Sequence, residues 1–211
     1  MSTKKATPIL RDFNTLALVL IPIGISVNYV GALIVNALQL PVFLDSIGTL
    51  TVAIIAGPWV GAMTGLMHNV VFGLTINPGD LPFGIVNMCF GLAAGFMARA
   101  GWFESARRVF FAGLVIVAVA LLTSVPIMVL MYGGATTGVA GAAMGYLIAV
   151  GTGIWQSVFA VSFFSEIADK LVSAYVAFFI YRALPRSFLT RFPGFIRKAP
   201  KATPEATPAS V

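Results

Sequence analysis

GGATTGVAGAAMGYLIAVGTG, residues 133–153, places seven glycines in a run that is otherwise almost wholly apolar. Each glycine weakens a helix by roughly 1 kcal/mol relative to alanine. The stretch is therefore a poor candidate for an ordinary helix, although apolar segments lie on both sides of it. Whether it crosses from one side of the fold to the other, or turns back, sets the architecture of the whole chain.

Outward from it, composition defines the setting. The 211 residues are 59% hydrophobic and 9% charged, with a mean hydropathy of +0.97, whereas a soluble domain carries about 25% charged residues. Such a chain reads as an integral membrane protein. A transmembrane helix needs about 20 apolar residues, and several of the seven apolar stretches approach or exceed that length, the second and third being short: Asn14–Leu38, Ser46–Ala56, Val60–Thr75, Phe83–Ala98, Val109–Tyr132, Val139–Phe164 and Ile167–Leu184. The second and third are separated only by Gly57-Pro58-Trp59 and read as a tight helical hairpin, with Pro58 favoured at a helix start.

Charge then sets the number of crossings, because cytoplasmic loops near membrane segments are enriched in Lys and Arg. Lys4, Lys5 and Arg11 precede the first stretch; Arg99, Arg107 and Arg108 flank the loop after the fourth; Arg182, Arg186, Arg191, Arg197, Lys198 and Lys201 close the chain. If all three groups are cytoplasmic, an even number of crossings lies between Arg108 and Arg182, yet three apolar stretches occur there. Val139–Phe164, with Gly141, Gly145, Gly151 and Gly153, is the exception: an outside-facing loop with a short or re-entrant helix.

The expected fold is all-α, with six transmembrane helices and both termini cytoplasmic. Residues 1–13 form a cytoplasmic segment, 14–185 a single membrane domain and 186–211 a cytoplasmic tail. The stretch after the basic N-terminus is longer than a signal-peptide core and reads as a retained first helix. In the tail, PRSFLTRFPGFIRK alternates Phe188, Phe192 and Phe195 with basic residues and suits the inner lipid surface. The final APKATPEATPASV reads as disordered.

Several function classes are disfavoured. One cysteine, Cys89, allows neither an intramolecular disulfide nor a cysteine metal cluster. The net charge of +6 sits at membrane ends and tails, which suits orientation and anionic lipid rather than nucleic acid. No nucleophile elbow, zinc-protease or phosphate-loop motif is present. The expectation is a non-enzyme with no cofactor and no metal, any ATP hydrolysis residing on partner subunits.

Polar residues gather toward the presumed outer half. In SEIADKLVSAYVAFFIYRALPR, Ser165–Arg186, Glu166 and Lys170 are four residues apart on one helical face, with Asp169 beside them. With the last helix beginning at Ile167, they fall at its outer end, either as an interfacial charge cluster or as the polar wall of a cavity. Asp45 and Asp80 lie in the first and second outer loops, Gln39–Asp45 and Asn77–Pro82, and read either as helix caps or as ligand contacts. Trp155 and Gln156 lie beside the glycine-rich run. Asn28, Asn36, Asn69 and Asn87 suit interhelical hydrogen bonding, worth about 0.6 kcal/mol each, and the lone His68 suits a structural role. Gly57, Gly61 and Gly65, and Gly24, Asn28 and Ala32, form small-residue stripes that pack either within the bundle or against a partner.

The stretches LPVFLDSIGTLTVAIIAGPWVGAMTGLMHNVVFG (Leu40–Gly73) and EIADKLVSAYVAFFIYRALP (Glu166–Pro185), with the six-helix count, resemble the substrate-binding S components of energy-coupling factor transporters, most closely the riboflavin-transporter-like group. The resemblance spans about residues 12–186. It implies a protein of a bacterial or archaeal cell membrane that captures a vitamin or related micronutrient, with riboflavin-like and cobalamin-like ligands both open. Its implied partners are a transmembrane coupling protein and two ABC ATPases. By position it points to Asp45, Asn87, Trp155, Gln156, Glu166, Asp169 and Lys170 for the substrate. For coupling it points to the first-helix stripe Gly24, Asn28 and Ala32, where Asn28 departs from the family's small residues, together with Gly57, Gly61 and Gly65. The polar residues suit an uncharged or zwitterionic ligand at least as well as an anion. The alternative is a self-sufficient secondary transporter, although no inverted repeat is evident.

Overall fold

The computed structural model describes residues 12–134, 136 and 138–192. Lys4, Lys5, Arg11, Phe195, Arg197, Lys198, Lys201 and the expected disordered tail lie outside the described residues. Among the described residues all regular structure is helical: α1 (Thr15–Leu38), α2 (Ile47–Ala56), α3 (Pro58–Thr75), a 3-10 segment (Pro78–Phe83), α4 (Gly84–Arg99), α5 (Ala106–Tyr132), α6 (Gly138–Ala149), α7 (Ile154–Ala183) and α8 (Arg186–Leu189). Among the described residues three spans are long and apolar enough to cross a membrane: Thr15–Leu38, Pro78–Arg99 and Ala106–Tyr132.

α1 starts where Asn14 accepts a hydrogen bond from the Ala17 N–H at 2.7 Å, satisfying one of the orphan donors of the first turn. One stripe of the helix, Ala17, Gly24, Asn28, Ala32 and Val35, is buried, while Leu18, Val19, Ile23 and Val30 on the other side are each more than half exposed. The buried stripe faces α2 and α3. A Cβ on Gly24 would stand 2.7 Å from the Thr64 methyl and 2.8 Å from Val52, and a Cβ on Gly48 would meet the Gly24 carbonyl. The α1–α2 crossing is thus made backbone to backbone.

α2 and α3 meet at Gly57, whose φ of 109° is in the region open to glycine, and Pro58 begins α3. The glycine stripes then interlock three helices. Gly61 lies against Ala53 of α2, Gly65 against the Asn87 backbone of α4, Gly91 against Gly61, and Gly95 against Pro58. Close approach of this kind excludes even a methyl group at the contact. Of the two packing alternatives open from sequence, the structure shows the internal one. Gly24, Asn28, Ala32, Gly57, Gly61 and Gly65 are all buried, so the expected coupling stripes are not a surface of this bundle.

The two ends of the bundle differ in charge. At one end Asp12 pairs with Arg99, Asn14 donates to the Arg191 carbonyl at 3.2 Å, Arg108 binds the Gly101 carbonyl, and α8 packs close by. Leu189 and Phe192 are buried against Ala17, Ile55 and Val60, which corrects the expected placement of Phe192 at a lipid surface: the chain after Pro185 turns back onto the helices. At the other end lie the α1–α2 connection, the 3-10 segment and α6, tied together in part by the Tyr132 hydroxyl donating to the Gly79 carbonyl at 2.8 Å.

The glycine-rich run divides in two. α5 ends in a left-handed glycine cap, the Gly133 N–H reaching the Val129 carbonyl at 3.1 Å and the Gly134 N–H reaching the Met128 carbonyl at 2.9 Å. α6 follows and packs Ala140 and Met144 against Val125, Met128 and Val158. It is 12 residues long, or about 18 Å at 1.5 Å per residue. A turn through Gly151, with φ 93°, breaks the expected Val139–Phe164 stretch, and its second half opens α7. That helix therefore begins at Ile154 rather than Ile167 and runs for 30 residues. Glu166, Asp169 and Lys170 consequently lie in its middle, not at its outer end, because no breaker follows Gly153.

Candidate binding site

The site is organised around the irregular segment between α1 and α2. Residues 40–46 turn inward and bring backbone N–H groups into the bundle, where each needs a partner. Asp169 supplies it: Oδ1 accepts from the Phe43 N–H at 3.1 Å and from the Leu44 N–H at 2.6 Å. Leu44 itself has φ 49°, and its carbonyl rests on Gly31, where a side chain would collide with it.

The other oxygen of Asp169 holds the Lys170 ammonium at 2.5 Å. Lys170 also reaches Ser46 Oγ at 3.3 Å, Glu166 Oε2 at 3.6 Å and Asp45 Oδ1 at 3.7 Å, and sits 4.4 Å from the centre of the Phe90 ring. Its side chain is 2% exposed. A buried ammonium of this kind persists only with such partners, and here one cation faces three carboxylates.

Asn28 explains why Asp45 is free to join them. The sequence leaves Asp45 open as a cap for α2, but the cap comes from α1. Asn28 Oδ1 accepts from the Gly48 and Thr49 N–H groups at 2.6 and 3.3 Å, and its Nδ2 donates to Thr49 Oγ1 at 2.8 Å. The residue that departs from the small-residue stripe is thus the cap of the neighbouring helix.

A second relay crosses from α3 to α4. Asn69 Nδ2 donates to the Asp80 carbonyl at 3.1 Å, and Asn87 Nδ2 donates to Asn69 Oδ1 at 3.0 Å and to the Asp45 carbonyl at 3.1 Å. Asn69 thereby serves the interhelical role read for it from sequence.

Between these groups lies a cavity of about 330 Å³, within the range of small-molecule sites. Its apolar walls include Phe43, Phe72, Phe83, Phe90 and Met128, its polar groups include Asp45, His68, Asn87, Ser124, Glu166 and Lys170, and Thr136, Val139 and Ala140 of the glycine-rich segment close one side. Asp45 Oδ1, His68 Nδ1, Asn87 Oδ1, Ser124 Oγ and Glu166 Oε2 are buried without a hydrogen-bond partner. Buried polar atoms are nearly always paired, with protein or with ordered water, so five such atoms around one cavity leave bonding capacity there for water or a small molecule to fill.

Of the residues singled out from sequence, Asp45, Asn87, Glu166 and Lys170 line the cavity, and Asp169 stands behind it as the anchor of the inward loop. Trp155 and Gln156 do not line it. They occupy the first turn of α7, where Trp155 is 51% exposed, because the turn at Gly151–Gly153 starts the helix away from the cavity. Sequence gives no site role to His68 or Ser124; His68 adjoins Asn69 in α3 and Ser124 adjoins Thr123 in α5, and only the bundle brings them together. Among the described residues no group of three His, Cys, Asp or Glu side chains is placed to hold a metal ion.

No protein-family model, curated protein or solved structure matches the chain.

Proposed function

We propose that the protein is the substrate-capturing membrane component of a multi-subunit importer of the energy-coupling factor type, binding a vitamin or related micronutrient from outside. In this reading, α1, α2, α3, α4, α5 and α7 are six membrane crossings in a bacterial or archaeal cell membrane. The arginine-bearing end faces the cytoplasm, and α6 lies at the outer side. α2 is too short to span by itself, at 10 residues or about 15 Å; the inward loop preceding it makes up the depth, shielded by α1 and α7. α7 carries its charges at Glu166, Asp169 and Lys170 toward the bundle interior, which is where intramembrane charges are tolerated. A transmembrane coupling protein and two ABC ATPases would supply the drive.

The observation that carries this reading is the cavity with its five polar atoms that lack a hydrogen bond, seated at the end opposite the arginines. The positive-inside bias puts that end outside, so the cavity is disposed for capture. The test is to purify the protein in detergent from cells grown in rich medium, release any bound small molecule and identify it by mass spectrometry, then measure its uptake into vesicles with and without the ATPase subunits. A stoichiometric ligand and ATPase-dependent uptake support the proposal. Uptake by the chain alone would replace it with a secondary transporter.

A further inference from the structure

We infer that the cavity takes a small organic cation bearing N–H donors, an ammonium or amidinium group on a compact apolar body; the inference rests on the reading of the cavity as a capture site.

The argument begins with what the protein leaves unsatisfied. A backbone carbonyl can only accept, so the bonds to the Asp80 and Asp45 carbonyls fix which end of the Asn69 and Asn87 amides is nitrogen. Asn87 must then present Oδ1, an acceptor with no protein donor. Glu166 Oε2 and Asp45 Oδ1 are also acceptors without a hydrogen bond, since Lys170 gives its close contacts to Asp169 and Ser46 and stands 3.6 and 3.7 Å from the other two acids. His68 Nδ1 and Ser124 Oγ can serve either way. One fixed acceptor, two carboxyl oxygens and two adaptable groups suit a ligand rich in donors.

Charge points in the same direction. Lys170 is one basic group among three acids, Asp45, Glu166 and Asp169, and an anionic ligand would meet those acids with the local ammonium already engaged. A cation would offset the surplus and gain hydrogen bonds to charged acceptors, the stronger kind. Phe43 and Phe90, already within 6.0 and 4.4 Å of the Lys170 ammonium, supply ring faces of the type that attract cationic nitrogen.

The test uses the full chain in detergent, washed free of co-purified small molecules. A small-molecule cell extract is split by ion exchange at neutral pH into cationic, neutral and anionic fractions, and each is scored by the rise in thermal unfolding midpoint. The cationic fraction is expected to stabilise the protein. The active compound, purified from it and identified by mass spectrometry, is expected to bind Glu166→Gln and Asp45→Asn roughly tenfold or more weakly, as loss of a hydrogen bond to a charged group implies. Unliganded midpoints near that of the parent show that both variants fold. Stabilisation confined to the anionic or neutral fraction overturns the cation inference while leaving capture intact; no stabilisation by any fraction overturns capture, and this inference with it.

Discussion

Asp169, in the middle of α7, holds the backbone of Leu44 with one carboxylate oxygen and the ammonium of Lys170 with the other. The two residues are 125 positions apart, and the bond between them lets a non-helical segment run inside a helical bundle. It also sets the position of Asp45, the next residue along, at the cavity wall. Fold and site share this contact.

Asp169→Ala should therefore destabilise the protein strongly. It removes the acceptor of two buried N–H groups and leaves the Lys170 ammonium without its nearest counter-charge, a loss of about 3–5 kcal/mol for a broken buried pair. Asp169→Asn keeps an acceptor for Phe43 and Leu44 and should fall between the two. Thermal unfolding in detergent checks the order; an alanine variant as stable as the parent would remove Asp169 from its structural role.

Asn28 offers a second, independent test. Asn28→Ala leaves the Gly48 and Thr49 N–H groups of α2 without the acceptor that α1 provides. Loss of a helix cap costs about 1–2 kcal/mol, and here the site is fully buried. Hydrogen exchange should accelerate at the start of α2 before it changes in α5. Uniform exchange across the bundle would argue that Asn28 supports general packing rather than this cap.

The parts of this arrangement that were legible from sequence are those set by local apolarity. α1 and α5 are long uninterrupted runs, and the Gly57-Pro58 turn announces itself by residue type. The start of α7 was hidden because Ile154–Phe164 is apolar and directly follows a glycine-rich run, so nothing local assigns it to the helix after it rather than the segment before. Asn28 was misleading for a different reason. Its position between Gly24 and Ala32 reads as a packing stripe, and its capping role depends on a helix 20 residues away. Glu166, Lys170, Asp45 and Asn87 stood out as polar groups in apolar surroundings, whereas His68 and Ser124 share no spacing with them and become neighbours only through the fold.

Glycines at close and open positions should respond oppositely. A Cβ on Gly61 would press into Ala53, whereas one on Gly145 in α6 meets nothing within 4 Å. Gly61→Ala is expected to cost about 1–3 kcal/mol through overpacking, and Gly61→Leu to prevent folding rather than to uncouple transport selectively. Gly145→Ala should be neutral or stabilising by up to about 1 kcal/mol, since alanine is the better helix former. Unfolding midpoints of the two alanine variants decide the matter; equal effects would mean that the α2–α3 contact at Gly61 is looser than the structure has it.

Orientation in the membrane can be tested with the chain's single cysteine removed. In a Cys89→Ser background, Asn77→Cys places a thiol near the cavity mouth and Arg107→Cys places one at the arginine-bearing end. If the positive end is cytoplasmic, a membrane-impermeant maleimide should label position 77 in intact cells and position 107 only after permeabilisation. Both sites precede α6 in the chain and are separated by α4, so the result is independent of whether the glycine-rich segment crosses. The reverse labelling pattern would put the cavity on the cytoplasmic side, and a protein that loads from there would be an exporter or a cytoplasmic sensor rather than a subunit for uptake.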